Sequence, residues 1–303
     1  MLKVKINNIE FNSPIIAASG TFGYGDEFSN FVDLEKIGCV ITKSITLVPR
    51  LGNMSSRIHE TNKGMINAIG LANLGVEKFC SEKISLLDKI KTKYIISIAG
   101  KTMDEYVHVL DRIENFGGMH VGYEINVSCP NVKQGGMEFG VDKAMTQKLT
   151  EKLRQLTDRL LIIKLSPNVT NIEQIAKVCE LAGADAVSAV NTFQGLAINH
   201  KTGKMLLSTT YGGVSGKAIK PLALAKIHKI YKSVNIPILG MGGISTYKDV
   251  IEFLRVGSTM VQVGTLNYLD PNLLTTFYNN LYNFLIKNKI NHIVDLTGDY
   301  VEN

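Results

Sequence analysis

The amino-acid sequence predicts a (β/α)8 TIM barrel with a short N-terminal β-hairpin, in one domain spanning residues 1–303. Three observations carry that expectation. Apolar, β-rich runs alternate with amphipathic helical runs along the chain, which is the pattern of parallel strands joined by crossover helices. The strand runs number eight and are hydrophobic almost throughout, as expected of strands buried on both faces. A length of 303 residues fits one continuous barrel core without a second domain.

In chain order, a pair of strand-like segments precedes the first barrel strand at 15–17 and the second at 39–43. Helix 76–90 then leads to strand 94–99, helix 103–116 to strand 123–127, and helix 142–157 to strand 161–165. Helix 172–181 precedes strand 186–190, helix 222–234 precedes strand 237–240, and helix 247–256 precedes strand 260–263. Each helical run carries apolar residues at a spacing that lines one face. The long loops at 46–75, 130–141 and 192–218 follow strands, so they should rise as walls or lids on the C-terminal face.

Apolar residues make up 45% and charged residues 20% of the chain, with no long charge run or Pro/Ser-rich stretch, so a folded soluble body is expected. The net charge of +6 comes from lysines scattered among acids in helical segments, which describes a solvated surface and no nucleic-acid face. Cys39, Cys80, Cys129 and Cys179 form neither a CxxC pair nor zinc spacing, so no metal or iron–sulfur cluster is expected in this chain. Without a signal-peptide pattern they read as reduced thiols of a cytoplasmic protein. No apolar stretch is long enough to span a bilayer, and no membrane association is expected.

In this architecture chemistry sits where strands end, and those positions are polar and glycine-rich. They include Ser19, Gly20, Lys43, Ser44, Asn126, Ser128, Cys129, Lys164, Asn191 and Thr192. The run Gly-Met-Gly-Gly-Ile at 240–244 and Val-Gly-Thr at 263–265 close the last two strands, where bare backbone N–H groups commonly hold a phosphate. Tight turns are the competing reading for either run alone. Gly213 and Gly216 could add a further backbone contact.

Lys164, pointing into a barrel mouth, must meet an anion or shift its pKa. It could serve as a Schiff-base lysine or as a cation beside the electron-accepting ring of a flavin. Lys43 poses the same question, whereas Arg50 reads as a solvated loop charge. Asn67, Asn126, Asn131 and Asn191 offer amides that both donate and accept, which suits a pyrimidine edge, although a single strand-end asparagine is more often a cap. Cys39, Cys80 and Cys179 read as small buried hydrophobes. Cys129, among polar groups and before Pro130, could act as a general base once its thiolate is favoured.

The runs at 67–73 (Asn-Ala-Ile-Gly-Leu-Ala-Asn), 125–136 (Ile-Asn-Val-Ser-Cys-Pro-Asn-Val-Lys-Gln-Gly-Gly) and 164–168 (Lys-Leu-Ser-Pro-Asn) resemble the class 1B dihydroorotate dehydrogenases. Val-Asn-Thr at 190–192 and the two glycine runs do so as well, and the resemblance extends in order over nearly the whole chain. It implies an FMN-containing barrel with Cys129 as catalytic base and with the phosphate at Gly242, Gly243, Gly264 and Thr265, near Gly216. By the same matching Ser19, Gly20, Lys43, Ser44, Asn126, Lys164 and Val190 surround the flavin. Lys43, Asn67, Ala68, Ile69, Gly70, Leu71, Asn126, Asn191 and Thr192 hold the substrate. Ser97, where related sequences commonly carry asparagine, is matched to a flavin contact as well, one that its shorter hydroxyl could lose or bridge through water.

The implied reaction has Cys129 remove the C5 proton of dihydroorotate while hydride leaves C6 for the flavin, with Lys164 offsetting the charge that develops. The resemblance further implies a homodimer core joined by an FAD- and iron–sulfur-containing subunit that passes electrons to NAD, giving a heterotetramer. A fumarate-using class 1A-like homodimer, a membrane-bound quinone-linked enzyme, a flavin-free Schiff-base aldolase and a noncatalytic barrel subunit are the alternatives.

Overall fold

A computed structural model describes residues 1–28, 31–128 and 140–302. The chain opens with an antiparallel pair, β1 (Val4–Ile6) and β2 (Ile9–Phe11), in which Val4 faces Phe11 across the ladder. Strands β3 (Ile15–Ala17) and β4 (Cys39–Ile41) enter the barrel. Next β5 (Ile58–Thr61) and β6 (Gly64–Asn67) leave it, followed by helices α1 (Val76–Glu82) and α2 (Ile84–Leu87). Three strand–helix units come next: β7 (Lys93–Ile98) with α3 (Met103–Phe116), β8 (Gly122–Asn126) with α4 (Lys143–Arg154), and β9 (Leu160–Lys164) with α5 (Ile172–Leu181). Then β10 (Ala186–Ala189) is followed by an excursion, β11 (Phe193–Gly195) and β12 (Gly212–Ser215), before helix α6 (Lys220–Tyr231). The last units are β13 (Ile238–Met241) with α7 (Tyr247–Arg255) and β14 (Met260–Val263) with α8 (Leu273–Lys287).

Strands β3, β4, β7, β8, β9, β10, β13 and β14 pair in parallel and in chain order, and β14 closes on β3 through Val261–Ile15 and Val263–Ala17. This is the predicted barrel. Its strands are buried on both faces, so their near-continuous Ile, Leu and Val content is what two-sided burial requires. Each such side chain taken out of water contributes roughly 1.5–3 kcal/mol. Three helices, α3, α4 and α7, start on side-chain caps that satisfy otherwise unpaired N–H groups: Thr102 accepts from Glu105 N, Asp142 accepts from Met145 N, and Thr246 with Asp249 forms a capping box.

Three features differ from the sequence expectation. Helix 76–90 is broken at Lys83 into α1 and α2. There the Lys83 ammonium turns to Asp26 at 2.8 Å and Glu27 at 3.1 Å, above the Tyr24 ring. Helix α8 occupies a stretch for which no helix is predicted, although Leu274, Phe277, Leu281 and Leu285 bury one of its faces. The loops at 46–75 and 192–218 do rise beside the barrel, but they hold a four-stranded antiparallel sheet in the order β11-β12-β6-β5. Gly64 is required at that join: a Cβ there would lie 2.0 Å from the Ser215 carbonyl oxygen. Among the described residues, no helix is long and apolar enough to cross a membrane.

Candidate active site

The glycine turns that end β13 and β14 meet the end of β12 along one wall of a cavity in the barrel mouth. Gly216, Gly242, Gly243, Gly264 and Thr265 all line it, together with Ser215, whose hydroxyl lies 2.9 Å from that of Thr265. The glycines serve different ends. Gly242 and Gly243 have φ of +127° and +81°, and a Cβ on either would strike Ala223 or the backbone of Lys220 and Gly216. Gly20 and Gly264 instead face room: a Cβ at Gly20 meets nothing within 4 Å, and at Gly264 nothing nearer than 3.7 Å. The result is a wall of bare backbone with open space in front of it, which suits a phosphate.

The floor is polar where a barrel interior is ordinarily filled by apolar side chains. Lys164 projects from the end of β9 with its side chain 7% exposed, and its ammonium donates to the fully buried Glu124 of β8 at 3.1 Å. Lys164 therefore meets an anion supplied by the barrel itself. Glu124 also accepts from Ser188 Oγ at 2.8 Å and from Gln262 Nε2 at 2.6 Å. The other atom of that amide, Gln262 Oε1, is buried with no hydrogen-bond partner among the described residues, in a residue that lines the cavity. On the opposite side Ser19 and Ser44 line the cavity with their hydroxyl oxygens 3.5 Å apart.

Asparagine amides gather at the rim. Asn191 Nδ2 donates to Asn126 Oδ1 at 3.2 Å, and Ser128 N donates to the same oxygen, so the Asn126 amide turns its donor end away from both. Asn67 Nδ2 donates to the Gly213 carbonyl across the β6–β12 ladder. A second cavity adjoins the first, and the two share Asn67, Ile69, Leu71, Asn126, Asn191 and Thr192. Ala68 and Gly70 line the second. Lys43 stands on the wall of the first, half-buried; burial, and after it the Arg57 guanidinium, draws its pKa below that of an ordinary lysine.

Most sequence-predicted site residues thus converge: Ser19, Gly20, Lys43, Ser44, Asn126, Lys164, Val190 and the glycine turns line the first cavity, and the proposed substrate residues line one or both. Ser97 does not line it. It is fully buried in β7, and its hydroxyl lies 2.8 Å from that of Ser44, so it reaches the cavity only through that residue. Cys129 and Asn131 lie outside the described residues. Cys39, Cys80 and Cys179 are buried, and burial pushes the thiols of Cys80 and Cys179 up to about 11 and about 12, as inert core residues require. Sequence reasoning missed Glu124, Gln262 and Ser215. The available signal for the first two is a charged or amide side chain set inside a hydrophobic strand, in Tyr-Glu-Ile and Val-Gln-Val.

The family model described as dihydroorotate dehydrogenase matches residues 1–285. The chain is 44% identical over 297 residues to a protein of Geotalea daltonii named dihydroorotate dehydrogenase B (NAD(+)), catalytic subunit, covering 98% of this chain and 97% of that one. A protein of the same name from Phocaeicola vulgatus is 42% identical over 298 residues, with 98% of each chain covered. Among solved structures, DHODH from Eimeria tenella in complex with ferulenol superposes with a TM-score of 0.81 at 22% identity, over 98% of this chain and 88% of that one. At that identity the likeness speaks for the fold.

Proposed function

The chain belongs to the dihydroorotate dehydrogenase family, and from that premise we propose that it is the catalytic subunit of an NAD-linked enzyme oxidising (S)-dihydroorotate to orotate in pyrimidine biosynthesis. The observation that carries this reading is the sharing of Asn67, Asn126 and Asn191 between two adjoining cavities. One cavity ends in glycine turns and the other opens beside them. A phosphorylated ring cofactor in the first and a pyrimidine in the second would meet at those amides.

The residues fit FMN. Open space before Gly20 and Gly264 accommodates the cofactor, bare backbone at Gly216, Gly242, Gly243 and Gly264 suits its phosphate, and Gln262 Oε1, without a partner among the described residues, is an acceptor on the floor. When bound, FMN supplies the acceptor for the hydride leaving C6 of the substrate. The chain's own residues do the rest. Asn67, Asn126, Asn191 and Thr192 present donors and acceptors to the pyrimidine edge, with the 68–71 segment beside them. Lys43 offers a cation to the substrate carboxylate. Lys164 places positive charge where negative charge accumulates during hydride transfer, and Cys129 removes the C5 proton.

A second subunit carrying FAD and an iron–sulfur cluster, bound to a homodimer of this chain in the cytoplasm, would pass the electrons to NAD. The test is direct. The purified chain should be yellow, bleach on addition of dihydroorotate, and produce NADH efficiently only when the electron-transfer subunit is supplied at matched FMN. A colourless chain that cannot take up FMN would refute the flavin reading. Efficient NADH production by the isolated chain would refute the partner, and efficient fumarate reduction without one would move the assignment to a fumarate-using homodimer.

A further inference from the structure

Glu124 lies one layer below the cavity and does not line it. It shares a barrel-facing direction with Asn126, two residues on along β8. A buried ion pair is weak evidence for stability, since an apolar pair of the same shape is often as good or better. A fully buried carboxylate in a barrel core of Ile, Leu and Val therefore calls for another reason.

Its surroundings supply one. Glu124 accepts from three strands: Lys164 Nζ of β9 on one oxygen, and Ser188 Oγ of β10 and Gln262 Nε2 of β14 on the other. A carboxylate only accepts, so Gln262 must present its nitrogen, and a second contact of that nitrogen with Ser188 Oγ at 2.8 Å fixes the arrangement. Of the four residues, Lys164 and Gln262 line the cavity, while Glu124 and Ser188 stand behind them.

We propose that Glu124 is a positioning residue: clamped by Ser188 and Gln262, it holds the Lys164 ammonium at the cavity floor, in the place where a cation favours the reduced form of the flavin. The proposal rests on the FMN reading above. It assigns to Glu124 an effect on the cofactor exerted wholly through Lys164, and it gives the Gln262–Ser188 contact the task of keeping the carboxylate from turning away.

The experiment measures FMN affinity by fluorescence titration of apo-protein, and the midpoint potential of bound FMN by dye equilibration, in wild type, Glu124→Gln, Lys164→Met, the double variant and Ser188→Ala. Wild type must bind FMN for the comparison to begin, and its failure to do so would refute the cofactor reading, not this one. Glu124→Gln keeps the shape and removes the charge. It should weaken FMN binding about tenfold and lower the preference for reduced flavin about tenfold, near 30 mV for a two-electron couple, in the same direction as Lys164→Met. The double variant should be no worse than Lys164→Met alone, because the two residues act in series. Ser188→Ala, the gentler change, should shift both quantities the same way by less, and it decides the matter if Glu124→Gln does not fold. Lower thermal stability with unchanged affinity and potential would make Glu124 structural only. Additive effects in the double variant, or a potential shift opposite to that of Lys164→Met, would equally overturn the proposal.

Discussion

Gly243 leaves no room for a side chain against Gly216: a Cβ on Gly243 would sit 2.9 Å from the Gly216 carbonyl oxygen and 2.8 Å from Lys220 N. Any side chain at 243 therefore disturbs the wall itself, before its charge can act on a ligand. Gly264 has no such neighbour and a negative φ of −109°. Gly264→Asp should fold, yet place a carboxylate in the space proposed for the phosphate and weaken FMN binding about tenfold or more through charge repulsion. Gly243→Asp should instead reduce the yield of folded protein. Wild-type FMN affinity in folded Gly264→Asp would place the phosphate elsewhere.

Cys129→Ala should leave the protein yellow but slow flavin reduction by dihydroorotate by about 10²–10⁴-fold, the usual contribution of a positioned base. Cys129→Ser should also be slow, since a hydroxyl is far less acidic than a thiol. Stopped-flow bleaching in the absence of NAD isolates this step from later electron transfer. A near-normal bleaching rate in the alanine variant would remove Cys129 from the role of base.

The barrel was legible because burial on both faces leaves runs such as Leu160–Lys164 and Met260–Val263 hydrophobic almost throughout. The antiparallel sheet was not legible for the opposite reason. Of the residues in β5, β6, β11 and β12 only Ile66 is buried, so no alternation marks these strands. The site followed the same division. Inspecting strand ends located Lys43, Asn126, Lys164 and the glycine turns, whereas Glu124 and Gln262 lie inside strands, one layer deeper, where attention to strand ends does not reach. Ser97 shows the limit of matching by position: its hydroxyl is engaged by Ser44 behind the cavity wall.

At the other end of the barrel, His120 is fully buried, with Nε2 2.7 Å from the Tyr123 hydroxyl and no hydrogen-bond partner for Nδ1 among the described residues. Burial, and next the charge of Arg159, pushes its pKa down to about 3, against roughly 6.5 in an unfolded chain. Between these values the unfolded state binds the extra proton. The stability that depends on neutral His120 is therefore complete above pH ~6.5 and is lost progressively as pH falls toward the folded pKa. Urea midpoints of the apo-protein at pH 7 and pH 4.5 should differ more in wild type than in His120→Gln. Equal differences would assign the acid sensitivity to other groups.

Lys43 should control how orotate binding depends on pH. The residue stands half-buried in the cavity wall, and its pKa is lowered, by burial first and by Arg57 second. Only the protonated amine attracts a carboxylate. The free enzyme loses that proton at lower pH than an exposed lysine would, so orotate affinity should decline as pH rises through the lowered pKa and remain full below it. A charge-assisted hydrogen bond contributes about 1.5–3 kcal/mol, which corresponds to roughly 10- to 150-fold in affinity. Lys43→Met should thus raise the orotate Kd at neutral pH by a factor in that range, and its residual binding should lack this alkaline decline. The measurement is titration of the visible flavin spectrum with orotate at several pH values, with FMN content determined separately because Lys43 also borders the proposed flavin site. An unchanged Kd in Lys43→Met at neutral pH would show that the carboxylate is held by another group, with Lys164 on the cavity floor and Arg57, whose charge acts on Lys43 and whose guanidinium donates to the carbonyls of Leu51 and Asn53, as the cations to examine next.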